Sequence, residues 1–234
     1  LSRNRKPDAG NIRYAVWNPA AQEIDAEEVA SCDAVIHLAG AGVADKRWTK
    51  KRKEEIRNSR TQSSALLVKT LAQNRGNVKV VISASAIGWY GPDKTNQKPF
   101  VETDEPYSDF LGTTCKEWEE SIEPVTQSGI RLVKLRTGIV LSNDGGALKE
   151  FKKPLKFGIA SVLGSGNQII SWIHIDDLCR MFIYAVEQQQ MNGVFNAVAP
   201  KPVSNKELTL KLAAKMKGHA FITVPVPSFA LQLI

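Results

Sequence analysis

The stretch Cys32 to Gly40, CDAVIHLAG, constrains the fold more than any other part of the chain. Ala34, Val35, Ile36 and Leu38 form a short apolar run without polar alternation, the pattern of a parallel strand covered on both faces by helices. It stops abruptly at Ala39 and Gly40, small residues that let a ligand approach the backbone. Open α/β sheets bind ligands at such carboxyl ends.

The same grammar recurs after one helix. Val78 to Ile82 is a second apolar run, followed by Ser83, Ala84, Ser85 and Ala86 and a turn at Trp89, Tyr90 and Gly91. Between the runs, residues 49–74 carry Ile56, Ser59, Ser63, Leu66, Leu67 and Leu71 near helical spacing. Strand, helix and strand make a βαβ unit. Upstream, Asn11 to Val16 reads as a strand, and Asp25 with Glu28 as a capping box for a short helix. Downstream, a helix from Phe110 to Gln127 and a strand at Ile130 to Leu135 continue the alternation. Beyond Gly138 the pattern changes to a Gly-rich turn, a helix near Ala147 to Phe157, and strands around Ile159 to Leu163 and Gln168 to Ile175. Asp176 or Asp177 then caps a helix through Glu187, Val194 to Val198 is a strand, and Ser204 with Glu207 opens a last helix to Lys217.

The 234 residues suffice for a full hydrophobic core. Cys32, Cys115 and Cys179 are odd in number and far apart, which disfavours a disulfide framework or a zinc site and suits a reducing compartment. No apolar run approaches the roughly 20 residues of a membrane span, so a cytoplasmic protein without membrane partners is expected. The chain opens at Leu1 without an initiator methionine and stops inside an apolar segment, as part of a longer protein would. Its net charge of +7 is concentrated in part between Lys46 and Arg57, where the basic run opens an amphipathic helix; a solvated helix end is expected there, not a nucleic-acid interface.

Four segments in register, HLAG (37–40), SASAIGWYG (83–91), LRTGIVL (135–141) and WIHIDDL (172–178), resemble the extended short-chain dehydrogenase/reductases. RWTKKRKEEIRNSR, residues 47–60, is similar to their atypical branch of epimerase family proteins, nucleotide-sugar epimerases of the bacterial YfcH type. The resemblance implies an α/β Rossmann-type doubly wound parallel sheet with a smaller C-terminal substrate region. Residues 1–141 would be the NADP-binding domain and 142–234 mostly the substrate-binding region, with strand and helix segments returning to the first. It also implies that a first strand and glycine-rich loop, roughly 30 residues, would precede Leu1.

Further residue roles follow from the resemblance. Ser2 and Arg3 would lie beside the adenosine ribose, in a segment without the carboxylate that accepts the 2′-hydroxyl of NAD; NADP(H) is therefore favoured over NAD(H). Leu38, Ala39, Gly40, Ser83, Ala84, Glu55 and Arg60 would face the cofactor, and Arg136, Thr137 and Gly138 would pass beside the nicotinamide. Ser85 matches the superfamily serine, and Lys116 in CKEWEE matches the lysine that holds the nicotinamide ribose. That alignment puts Gly112 where the tyrosine should stand, leaving Tyr90 and then Tyr107 as candidate phenols. Trp172, His174 and Gln168 are candidate substrate contacts. The expected activity is an NADP(H)-dependent oxidoreductase or epimerase acting on a nucleotide sugar or another hydroxyl-bearing small molecule. The alternative is a catalytically degenerate NADP(H)-binding regulator.

Overall fold

A computed structural model describes residues 1–2, 6–93 and 98–226. Its contacts divide the chain into two units: Leu1–Gly91, Phe100–Arg136 and Phe182–Phe195 form one; Pro92–Pro99, Thr137–Met181 and Asn196–Ile234 form the other.

The first unit opens on a hairpin of β1 (Trp17–Asn18) and β2 (Glu23–Ile24), turning at Asn18 and Pro19. The expected strand over residues 11–16 is absent: Ser2 bridges Val16 and Ala9 bridges Ile12 only as isolated pairs. Helix α1 (Ala26–Ala30) follows, with the Asp25 carboxylate accepting from the Glu28 amide. Strand β3 (Ala34–His37) is shorter than its apolar run, so Leu38, Ala39 and Gly40 already lie beyond it. Helix α2 (Lys50–Gln73) is capped by Thr49, whose hydroxyl accepts from the Arg52 amide, and it buries Ile56, Ser63, Leu66, Leu67 and Leu71. Strand β4 (Val80–Ala86) runs parallel to β3 and pairs His37 with Ser83. It therefore includes the serines expected just beyond it.

A 3-10 turn (Ile87–Tyr90) leads on to helix α3 (Phe110–Ile122), capped by Asp109. Pro124 ends that helix earlier than expected, and residues 123–128 form a 3-10 segment. Next come β5 (Arg131–Thr137), β6 (Ile139–Leu141), α4 (Gly146–Leu155) and β7 (Ile159–Leu163). The strand expected over residues 168–175 is split at Ser171 into β8 (Ile169–Ile170) and β9 (Trp172–His174), and α5 (Ile175–Glu187) starts before the acidic pair, which occupies its first turn. The chain then forms β10 (Gly193–Ala197), β11 (Val203–Ser204), α6 (Asn205–Lys217) with its Ser204 cap, and β12 (Ile222–Val226).

The central sheet is parallel, in the order β10-β5-β4-β3. One core packs Leu67 and Leu71 of α2 against Val78, Val81, Ile122 and Leu132. Among the described residues no strand pairs the outer edge of β3, where Ile36 and Leu38 are 44% and 61% exposed beside a groove of about 430 Å3. The second unit contains the pairs β6-β9, β7-β12 and β8-β11. No helix among the described residues is long and apolar enough to cross a membrane, and none of their His, Cys, Asp and Glu side chains cluster as metal ligands.

Candidate functional site

Two groups of residues stand where the parallel strands end. At the end of β3, Leu38 and Gly40 are exposed and Ala39 is half-buried. Arg60 reaches from α2 beneath this turn: its Nη1 donates to the carbonyls of Ala41 at 3.0 Å and Ile56 at 2.8 Å. Its guanidinium also lies 4.9 Å from the Trp118 ring centroid. A Cβ at Gly40 would sit 3.1 Å from Arg60 Cζ, so the glycine lets the cation approach the backbone. Burial pulls the Arg60 pKa below the ordinary guanidinium value, and nearby Arg52 adds to that. Among the described residues Arg60 meets no carboxylate; Glu55 is paired instead with Arg52 at 2.8 Å.

At the end of β4 the interior is more polar than expected. Ser83 is buried, its hydroxyl donating to the Ala84 carbonyl at 3.1 Å, and Ala84 is half-buried. Ser85 is 2% exposed and donates to Glu119 Oε1 at 2.6 Å. Arg136, on β5, clasps the same carboxylate with two groups, Nε to Oε1 at 2.8 Å and Nη2 to Oε2 at 3.1 Å. Its Nη1 donates to the Tyr90 hydroxyl and to the Glu102 carbonyl, both at 3.0 Å. The Trp89 ring lies under the guanidinium, 3.6 Å from Cζ to centroid. Burial opposes the charge of Arg136, but its hydrogen bonds to Glu119 and Tyr90 outweigh it and raise the pKa.

The sequence reading passed over Glu119. A signal was present: Cys115, Glu119 and Ile122 lie at i, i+4 and i+7 on one face of α3, and a carboxylate on such a stripe needs a buried partner. That stripe meets the end of β4. Leu111 and Cys115 lie against Gly88, and the thiol, pushed up to about 11 chiefly by burial, bonds the backbone at Ala86.

Lys116 is half-exposed and donates to Glu120 at 2.6 Å, and that hydrogen bond raises its pKa. Gly112 is buried, and a Cβ there would overlap the Tyr107 carbonyl, so no phenol fits at that position. Tyr90 is buried and stacked on Phe100, ring centroids 5.0 Å apart, whereas Tyr107 is 38% exposed and packs against Gly91. Ser2 is half-buried, its backbone bonded to Ala15 and Trp17, and Arg3 lies outside the described residues.

The remaining candidates belong to the second unit. Thr137 is half-buried, and Gly138 donates its amide to Ala197, with a Cβ there barred by the Ser171 carbonyl. Trp172 Nε1 donates to Lys201 at 3.0 Å, exposed His174 Nδ1 accepts from the Asp176 amide at 3.2 Å, and Gln168 Nε2 donates to Leu163 at 2.9 Å.

Residues 4–112 match the model of the NAD dependent epimerase/dehydratase family. An epimerase family protein of Mycobacterium tuberculosis is 37% identical over 82% of this chain, which spans only 63% of that relative's length. One from Staphylococcus aureus is 36% identical over the whole chain and 74% of its own length. Among solved structures, the human epimerase family protein SDR39U1, crystallised with NADPH, matches with a TM-score of 0.80 and 30% identity over 89% of this chain and 72% of that one. A nucleoside-diphosphate sugar epimerase from Corynebacterium glutamicum matches with a TM-score of 0.74 and 32% identity over 98% of this chain and 47% of that one. With its Rossmann-like parallel sheet and these relatives over most of its length, the chain belongs to the epimerase family proteins, within the extended short-chain dehydrogenase/reductases.

Proposed function

We propose that this chain is part of an NADP(H)-dependent oxidoreductase or epimerase acting on a nucleotide sugar or another hydroxyl-bearing small molecule. The observation that carries the reading is Arg60, a half-buried cation without a carboxylate partner among the described residues, beneath the glycine that ends a parallel strand. A buried charge is costly unless an anion compensates it, and a dinucleotide phosphate supplies one at this end of an α/β sheet. The turn at Leu38, Ala39 and Gly40 would hold the adenosine and pyrophosphate side, with Glu55 and Arg60 of the following helix also facing the cofactor. Ser83, Ala84, Arg136, Thr137 and Gly138 would approach the nicotinamide. When bound, the cofactor accepts or returns a hydride.

Ser2 and Arg3 favour NADP(H), and the NADPH in the human relative supports that preference. Ser85 would orient the reacting oxygen, Tyr90 is the candidate phenol, and Lys116, released from Glu120, would hold the nicotinamide ribose. Trp172, His174 and Gln168 would contact substrate. The three unpaired cysteines suit a cytoplasmic setting.

Fluorescence titration tests the cofactor claim on the full-length protein: NADPH should bind more tightly than NADH, and Arg60→Met should weaken NADPH binding about tenfold or more. Unchanged affinity in that variant would remove the basis of the reading. A second reading, an NADP(H)-binding regulator without catalysis, is favoured by Gly112, where no side chain fits. Incubation with NADP+ and either UDP-glucose or UDP-glucuronic acid, followed at 340 nm and by chromatography of the sugar nucleotide, separates the two: tight NADPH binding with neither an absorbance change nor an altered sugar selects the regulator.

A further inference from the structure

We propose that Glu119 and Arg136 are positioning residues that make Ser85 a hydrogen-bond acceptor toward the ligand, so that the site prefers a hydroxyl over a carbonyl. This rests on the reading above that Ser85 meets the reacting oxygen. A serine hydroxyl has one proton and two lone pairs. Here the proton is committed at 2.6 Å to Glu119 Oε1. Both oxygens of Glu119 also accept from Arg136, so neither is left to donate to Ser85. Arg136 is itself fixed by Tyr90, the Glu102 carbonyl and the Trp89 ring, leaving little freedom to rotate. A ligand reaching Ser85 therefore finds lone pairs. An alcohol can donate to them; a ketone leaves two acceptors facing each other, which is costly in a desolvated site.

The paired substitution Glu119→Met with Arg136→Met is informative. With no carboxylate to receive it, the Ser85 proton is free to turn to the ligand, and no unpaired buried charge is left behind. Stopped-flow binding to the cofactor-loaded full-length protein, comparing UDP-glucose with UDP-4-keto-6-deoxyglucose, should show the hydroxyl form bound about tenfold more tightly, the order of discrimination when one acceptor loses its donor. The double variant should erase or invert that ratio; an unaltered ratio in the folded variant overturns the proposal. Neutron diffraction of the unsubstituted NADPH-loaded protein gives an answer that does not depend on the variant folding. A deuteron on Ser85 directed at an unprotonated Glu119 supports the assignment, and one directed elsewhere or carried by Glu119 defeats it. If neither sugar binds, the nucleotide-sugar reading fails while the deuteron position still decides the polarity of Ser85.

Discussion

At the level of single residues, the buried charges of Glu119 and Arg136 are held in the interior by one another. Removing one partner of the Glu119–Arg136 pair leaves the other charged and buried, so Glu119→Ala should cost about 3–5 kcal/mol of stability in urea unfolding. Replacing both with Met should recover most of that loss, and a double-mutant cycle measures the coupling. His37, 3% exposed, shares its Nε2 with the hydroxyls of Ser64 at 3.2 Å and Ser63 at 3.4 Å. Burial lowers its pKa from 6.5 to about 4. Above pH 6.5 both folded and unfolded forms are neutral there; as pH falls toward 4 only the unfolded form takes up a proton, so stability declines over that window by as much as about 3 kcal/mol. Substituting His37 with Asn should flatten the slope between pH 6.5 and 4, as measured by urea midpoints.

Among the elements, α2 and α3 determine what reaches the strand ends. The first turn of α2 contains Lys50, Lys51 and Arg52 with no acidic residue, opposing the positive end of its own helix dipole. Lys50→Glu at this exposed position should stabilise the fold by about 0.5 kcal/mol at low salt, read from the thermal midpoint. In α3, Gly112 marks where the helix passes under the Tyr107 backbone. Gly112→Ala should therefore destabilise by about 2 kcal/mol or more, because the obstacle is backbone and not a movable side chain. The same clash bars a tyrosine side chain at that position.

Across the whole molecule, the parallel sheet ends at β3 among the described residues, an edge where Ile36 and the following Leu38 are exposed. Unpaired apolar edges template association, so the 234-residue chain expressed by itself should self-associate, and Ile36→Lys should reduce the effect in light scattering. The βαβ alternation, the long helix after Thr49 and the capping signals at Asp25 and Ser204 were legible in sequence because they are local, set by hydrophobic period and by one or two backbone hydrogen bonds. Boundaries moved where local signals competed: β3 stopped short of its apolar run, and Pro124 cut α3. Family motifs pointed to the strand end at HLAG, and the structure brings Arg60 of the following helix against it. What sequence alone determined was therefore the βαβ alternation of the central sheet and the small or hydroxylated residues where its strands end. Only the tertiary structure decided that Ser85 spends its proton on Glu119, that Arg136 joins three segments, and that Gly112 has no room for a side chain. Those outcomes depend on groups 17 to 46 residues apart meeting in a desolvated interior, where partner geometry, which periodicity does not encode, decides which polar atoms remain available.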